Sequence, residues 1–71
     1  MAKLKWSDAD EIGLRLSEKF AGTDPLTLRF TDLHERVTQL EGFGDDPSQS
    51  SEATLEAIQM AWLGYYRDAQ Q

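Results

Sequence analysis

The sequence has no cysteine, one histidine and two prolines among 71 residues. Without cysteine there is no disulfide, no zinc–thiolate site and no thiol nucleophile or sulfur relay within the chain. With His34 alone, serine–histidine catalysis has nothing near it for support. No apolar run approaches the roughly 18 residues that a membrane span needs. The start, Met1 to Trp6, has no apolar stretch of the kind a signal peptide carries, so the expected compartment is the cytoplasm. Basic residues are scarce too: 7 against 13 acids, for a net charge of −6. DNA and RNA binders need positive surface to displace counterions from phosphates, so the charge argues against nucleic acid as a partner. It argues equally against an anionic membrane.

What is present suits one small globular domain spanning 1–71, with a core over 4–66 and a frayed tail over 67–71. Hydrophobic residues make up 39% and charged residues 28%. A chain of this size buries only about 60% of its unfolded surface, which makes good helix caps important. There is no internal repeat and little alternation of apolar and polar residues to build a sheet.

Helical spacing dominates. Ser7 or Asp8 is positioned to cap a first helix, with Glu11 at capping-box distance from Asp8. Ile12, Leu16 and Phe20 form its buried stripe, and Gly22 ends it near residue 21. Asp24-Pro25 caps a short helical turn over Leu26 to Leu28. Arg29-Phe30 reads as an extended connector and Thr31 as the cap of the next helix, whose stripe is Leu33, Val37 and Leu40. Gly42 and Gly44 end that helix and bracket Phe43, expected to fold back onto the core. Asp45-Asp46-Pro47-Ser48 reads as a turn or the cap of one helical turn. Ser50 or Ser51 starts the last helix, with Leu55, Ile58, Trp62 and Leu63 inward. Trp6 and Trp62 are core anchors. Tyr65 and Tyr66 cannot both face inward, so one is expected at the surface. The expected fold is all-α, a small helix-turn-helix-type bundle with little or no sheet; any wing is vestigial.

The acids carry the functional information. Glu41, Asp45, Asp46, Glu52 and Glu56 lie between Val37 and Tyr66, a stretch with no lysine or arginine. Asp32 and Glu35, three residues apart, share the exposed face of their helix. Asp32, Glu35, Glu41, Asp45 and Asp46 are therefore read as one negative patch, aided by Asp8 and Glu11. Such a patch attracts cations or a surface rich in lysine and arginine. The bland alternative is that these acids solvate a surface and cap helices. A tight Ca²⁺ loop is excluded, because Asp45 to Glu52 lacks the alternating ligand pattern and the turn glycine. Weak binding of Fe²⁺ by Asp32, Glu35, Glu41, Asp45 and Asp46 is the most that carboxylates alone license, with no cofactor held tightly. His34 is either a ligand near Asp32 or a partner for Thr31 or Asp32. No phosphate loop is present, since Gly42-Phe43-Gly44 is too short.

The blocks Lys5-Trp6-Ser7-Asp8, Glu11-Ile12-Gly13, Asp24-Pro25, Arg29-Phe30-Thr31-Asp32-Leu33-His34, Asp45-Asp46-Pro47 and Leu55-Glu56-Ala57-Ile58, then Trp62-Leu63, occur in this order over residues 4–63. In order and spacing they resemble the IscX (YfhJ) family of the bacterial iron–sulfur cluster assembly machinery. The resemblance implies a modified winged-helix fold and a small acidic protein that is not an enzyme; a monomer is the default expectation for a compact acidic domain. It implies docking on the cysteine desulfurase IscS, at a surface shared with frataxin and ferredoxin. It implies weak iron binding through exposed carboxylates. Gly42 and Gly44 stand where relatives often carry acids, Arg36 where an aromatic is frequent, and Gly64-Tyr65-Tyr66-Arg67 replaces a short acidic end. An Fe²⁺ carrier or sensor is the alternative function; a helix-turn-helix nucleic-acid regulator is opposed by charge.

Overall fold

The computed structural model describes residues 3–70. Met1, Ala2 and Gln71, the last residue of the expected tail, lie outside the described residues. Three α-helices follow one another: α1 (Ala9–Lys19), α2 (Phe30–Thr38) and α3 (Glu52–Ala69). A 3₁₀ turn over Pro25–Thr27 links α1 to α2, and another over Pro47–Gln49 precedes α3. The fold is all-α, as expected. No strand and no wing form among the described residues; extended pairing is limited to one parallel bridge, Leu4 with Phe43.

The predicted stripes are the core. Ile12, Leu16, Leu33, Val37, Ile58 and Trp62 are fully buried, with Leu4, Trp6, Leu40, Leu55 and Leu63 close to it. Phe20, Phe30, Phe43 and Tyr66 pack against this cluster from its edges. The main packing is α1 on α3. Gly13 makes it possible: a Cβ there would lie 2.7 Å from Ala61 Cβ and 2.7 Å from the Trp62 backbone nitrogen. At 34 × 27 × 16 Å the molecule is thin. Its smallest dimension is roughly one and a half helix diameters of about 10–12 Å, and its concavities are open grooves.

Local rules explain most boundaries. The Asp24 carboxylate accepts from Leu26 N–H at 2.9 Å and opens the first 3₁₀ turn, one residue earlier than expected. Asp46 does the same for the second, accepting from Ser48 N–H at 2.9 Å. Ser51 Oγ accepts from Thr54 N–H at 3.2 Å and caps α3. Gly22 turns the chain after α1 with a φ of 90° that side chains rarely adopt. α3 runs to Ala69, past the expected core boundary at residue 66.

Two expected caps are corrected. Asp8 stands at the N-cap of α1, but its carboxylate makes no cap bond; Oδ2 accepts instead from Lys5 N–H, three residues back, at 3.0 Å. Glu11 pairs instead with Arg15 one turn on, at 3.1 Å, so the capping box does not form. Thr31 is not the cap of α2. The helix already includes Phe30, which packs on the core, and Arg29 takes the cap position, its carbonyl accepting from Leu33 N–H at 2.9 Å.

Candidate functional site

The acidic face is built around a clasp between the N-terminal segment and the loop after α2. Leu4 N–H donates to Gly42 O at 2.8 Å, and Gly44 N–H donates to Leu4 O at 3.0 Å. Gly42, with φ at 91°, lets the loop turn back for this exchange. Trp6, only 4% exposed, is seated in the loop. Its backbone N–H donates to Asp45 Oδ2 at 3.0 Å and its indole N–H to Asp46 O at 2.7 Å. Its ring stacks on His34, centroids 5.3 Å apart, and meets Phe43 edge-on at 4.9 Å.

His34 is therefore neither paired with Thr31 nor with Asp32. Its Nε2–H donates to the Pro47 carbonyl at 2.6 Å. That choice fixes the tautomer, because a carbonyl oxygen can only accept. The ring thus ties α2 to the second 3₁₀ turn and walls the Trp6 indole.

The seven candidate acids divide by what their carboxylates already do. Asp45 uses both oxygens on backbone N–H groups, Oδ2 on Trp6 and Oδ1 on Asp46 at 2.8 Å. Asp46 Oδ1 accepts from the Ser48 N–H and, at 2.8 Å, from the Ser48 hydroxyl. The backbone bond from Ser48 and then its hydroxyl hold the Asp46 carboxyl below its usual range. Asp8 holds Lys5 N–H, and Glu11 holds Arg15. Asp32, Glu35 and Glu41 are exposed and have no such task; Glu35 makes only a long 3.4 Å contact from Gln39 Nε2. Glu41 shares an open groove with Glu11 and Glu18, but also with Arg15 and Lys19.

The patch is therefore less continuous than the spacing suggests. Asp45 and Asp46 are brought together in one loop, beside His34 on α2. Asp32 and Glu35 share the outer face of α2, and Glu41 sits across an open groove from Glu11 on α1. Among the described residues no three His, Asp or Glu side chains come close enough to hold one metal ion. The five candidate iron ligands therefore supply no prebuilt three-donor site. The expected site left out Glu52 and Glu56, exposed acids on α3 that nothing in the fold occupies. Their place in the base-free stretch was the signal that could have found them.

Away from this face, Arg36 packs on Phe20. Its guanidinium lies 4.8 Å over the Phe20 ring. Tyr65 and Tyr66 are both half-buried. Tyr66 packs on the core, while the Tyr65 hydroxyl donates to Asp10 Oδ2 at 3.0 Å.

A family model described as iron-sulphur cluster assembly matches residues 4–67, nearly the whole chain. The chain belongs to the iron-sulphur cluster assembly family. The match is the IscX resemblance read from the sequence. The chain is also similar to an uncharacterized protein of Pseudomonas aeruginosa, 47% identical over 60 residues that cover 84% of this chain and 91% of the relative. Family membership indicates a role in iron–sulfur cluster assembly. No helix among the described residues is long and apolar enough to cross a membrane.

Proposed function

We propose that this member of the family is a non-catalytic acidic adaptor or regulator of iron–sulfur cluster assembly, a cytoplasmic monomer that docks on the cysteine desulfurase IscS. The observation that carries the reading is the set of exposed carboxylates that no short hydrogen bond or ion pair occupies, Asp32, Glu35, Glu41, Glu52 and Glu56, on a chain of net charge −6. Long-range attraction between this face and a basic surface raises the association rate, and a few central contacts set the lifetime. Frataxin and ferredoxin compete for the same desulfurase surface in this scheme. Asp45 and Asp46 serve it by shaping the loop and by adding to the field.

Iron enters as cargo rather than as a resident cofactor. With no three-donor cluster among the described residues, Fe²⁺ is held weakly by scattered carboxylates, and docking does not depend on it. The Fe²⁺ carrier reading is the second choice, since no geometry here favours it.

The test is calorimetric titration into the purified cognate desulfurase without iron, at several salt concentrations. Each Asp or Glu changed to Lys shifts the charge by two units, so Asp32→Lys with Glu35→Lys takes the chain from −6 to −2. Expected is wild-type binding that weakens as salt shortens the screening length below about 8 Å, and a loss of about tenfold or more in the double variant. Binding that ignores both salt and these substitutions would refute the mechanism.

A further inference from the structure

Between α2 and α3 lies a shallow groove of about 290 Å³, lined by Phe30, Thr31, His34 and Leu55. Three of these four side chains are apolar or aromatic in character. Leu55 is buried, Phe30 and His34 are half-buried, and Thr31 is exposed at the rim. The floor is held firmly, because His34 is fixed between the Trp6 ring and the Pro47 carbonyl.

The surroundings are acidic on both sides. Glu35 follows His34 and stands one turn on from Thr31, so it flanks the groove on α2. Glu52 lies three residues before Leu55, so it neighbours Leu55 on the surface of α3, and Glu56 follows Leu55 in sequence. All three are exposed. Asp46, next to the Pro47 that His34 binds, is exposed at the loop end. Arg36 is drawn away over Phe20. Arg29, before Phe30, is the one base that adjoins the groove in sequence.

We propose that this groove receives an apolar side chain from a basic segment of a partner protein, with lysines or arginines on either side of that side chain facing Glu35, Glu52 and Glu56. A purely charged surface would need no hollow, and a purely apolar partner would be left beside unpaired carboxylates at a cost. Apolar anchor and basic flanks together match both features. The proposal rests on the adaptor reading above, in that it takes the partner's docking surface to be basic. It adds where on the acidic face specificity resides: field supplies the encounter, and the groove selects the segment.

Two synthetic peptides test it, acetyl-Lys-Arg-Leu-Arg-Lys-amide and the same peptide with serine for leucine. They carry equal charge and differ in the anchor alone. Each is titrated into the isotopically labelled full chain and followed by amide chemical shifts. The expected result is a leucine peptide that binds about tenfold tighter, the ratio that partial burial of one leucine supplies. Its shifts centre on Phe30, Thr31, His34 and Leu55. Thr31→Trp places an indole across the rim at an exposed position, fills the hollow, and should abolish the preference for leucine over serine. Equal binding of both peptides, or a leucine preference that survives Thr31→Trp, overturns the groove and leaves the charge-steered docking standing. No shifts from either peptide at millimolar concentration overturns the groove and the basic-partner reading together.

Discussion

Two glycines inside helices make opposite predictions. On propensity alone, Gly→Ala in a helix interior stabilises by about 1 kcal/mol. At Gly64 nothing lies within 4 Å of the Cβ position, so that gain should be realised in full. At Gly13 the new methyl would meet Ala61 Cβ and Trp62 N at 2.7 Å each and the Ala61 carbonyl carbon at 3.0 Å. Two of these three atoms are backbone, so relief requires α3 to move away from α1 across the main packing surface of the core. Overpacking of this kind costs about 1–3 kcal/mol. Because backbone yields less than a side chain, we set the cost toward the upper part of that range, for a net loss of about 1–2 kcal/mol after the propensity gain. In a domain of this length 1 kcal/mol moves Tm by roughly 4–8 °C. Gly64→Ala should therefore raise Tm by about 4–8 °C, and Gly13→Ala should lower it by roughly 5–15 °C. Thermal and urea unfolding followed by far-ultraviolet circular dichroism measure both. A Gly13→Ala protein as stable as wild type, or more so, would refute the argument that the α1–α3 approach depends on that missing side chain.

The remaining predictions concern the clasp and the titrating groups. Asp45→Ala leaves the Trp6 and Asp46 N–H groups without their acceptor and should cost about 1–3 kcal/mol in urea unfolding; Asp45→Asn keeps one acceptor oxygen and should cost less. Trp6→Phe removes the indole N–H bond to Asp46 O, and its loss should accelerate amide exchange at Gly44 and Leu4. The Asp46 carboxyl titrates lower in the folded chain than in the unfolded one, so its stabilisation is present above the ordinary carboxylate range and fades as pH falls through the folded value. Ser48→Ala removes the hydroxyl bond but keeps the larger backbone one, so it should make the acid limb of a stability–pH profile only slightly shallower. The hydrogen bond to Asp10 pushes the Tyr65 phenol up. That contribution is complete below the unfolded value near 10 and is lost as pH rises through the folded one. Asp10→Asn should bring the Tyr65 phenolate transition, followed by ultraviolet absorbance, to lower pH.

Much of the fold was legible because helices write their core at fixed intervals. Ile12 and Leu16, Leu33 and Val37, and Leu55, Ile58 and Trp62 all sit where a 3.6-residue period places them. The cap at Asp24 was legible too, and those at Asp46 and Ser51 in part, among neighbouring candidates, because each answers an N–H two or three residues away. The site was harder. That Asp45 would be spent on Trp6 depends on a partner 39 residues distant, and that His34 would reach Pro47 on one 13 residues distant. Sequence spacing carries charge faithfully, so the acidic face was visible. It does not carry whether a carboxylate is already occupied, and that is decided only when the N-terminal segment meets the loop. Asp8 shows the same gap locally: a tight turn offered its carboxylate a nearer donor in Lys5 than the helix did.

The clasp also has a thermodynamic consequence. A loop containing Gly42, Gly44 and Pro47 would, untethered, sample many shapes, and fixing each residue costs about 1–2 kcal/mol in TΔS. Here the bonds from Leu4, Trp6 and His34 meet that cost during folding. A partner approaching this side therefore finds a rigid edge, and its association is spared the entropy of ordering the loop. Weakening the clasp would shift that entropy from the folding equilibrium to the binding equilibrium, so a variant could lose affinity with every surface carboxylate still in place.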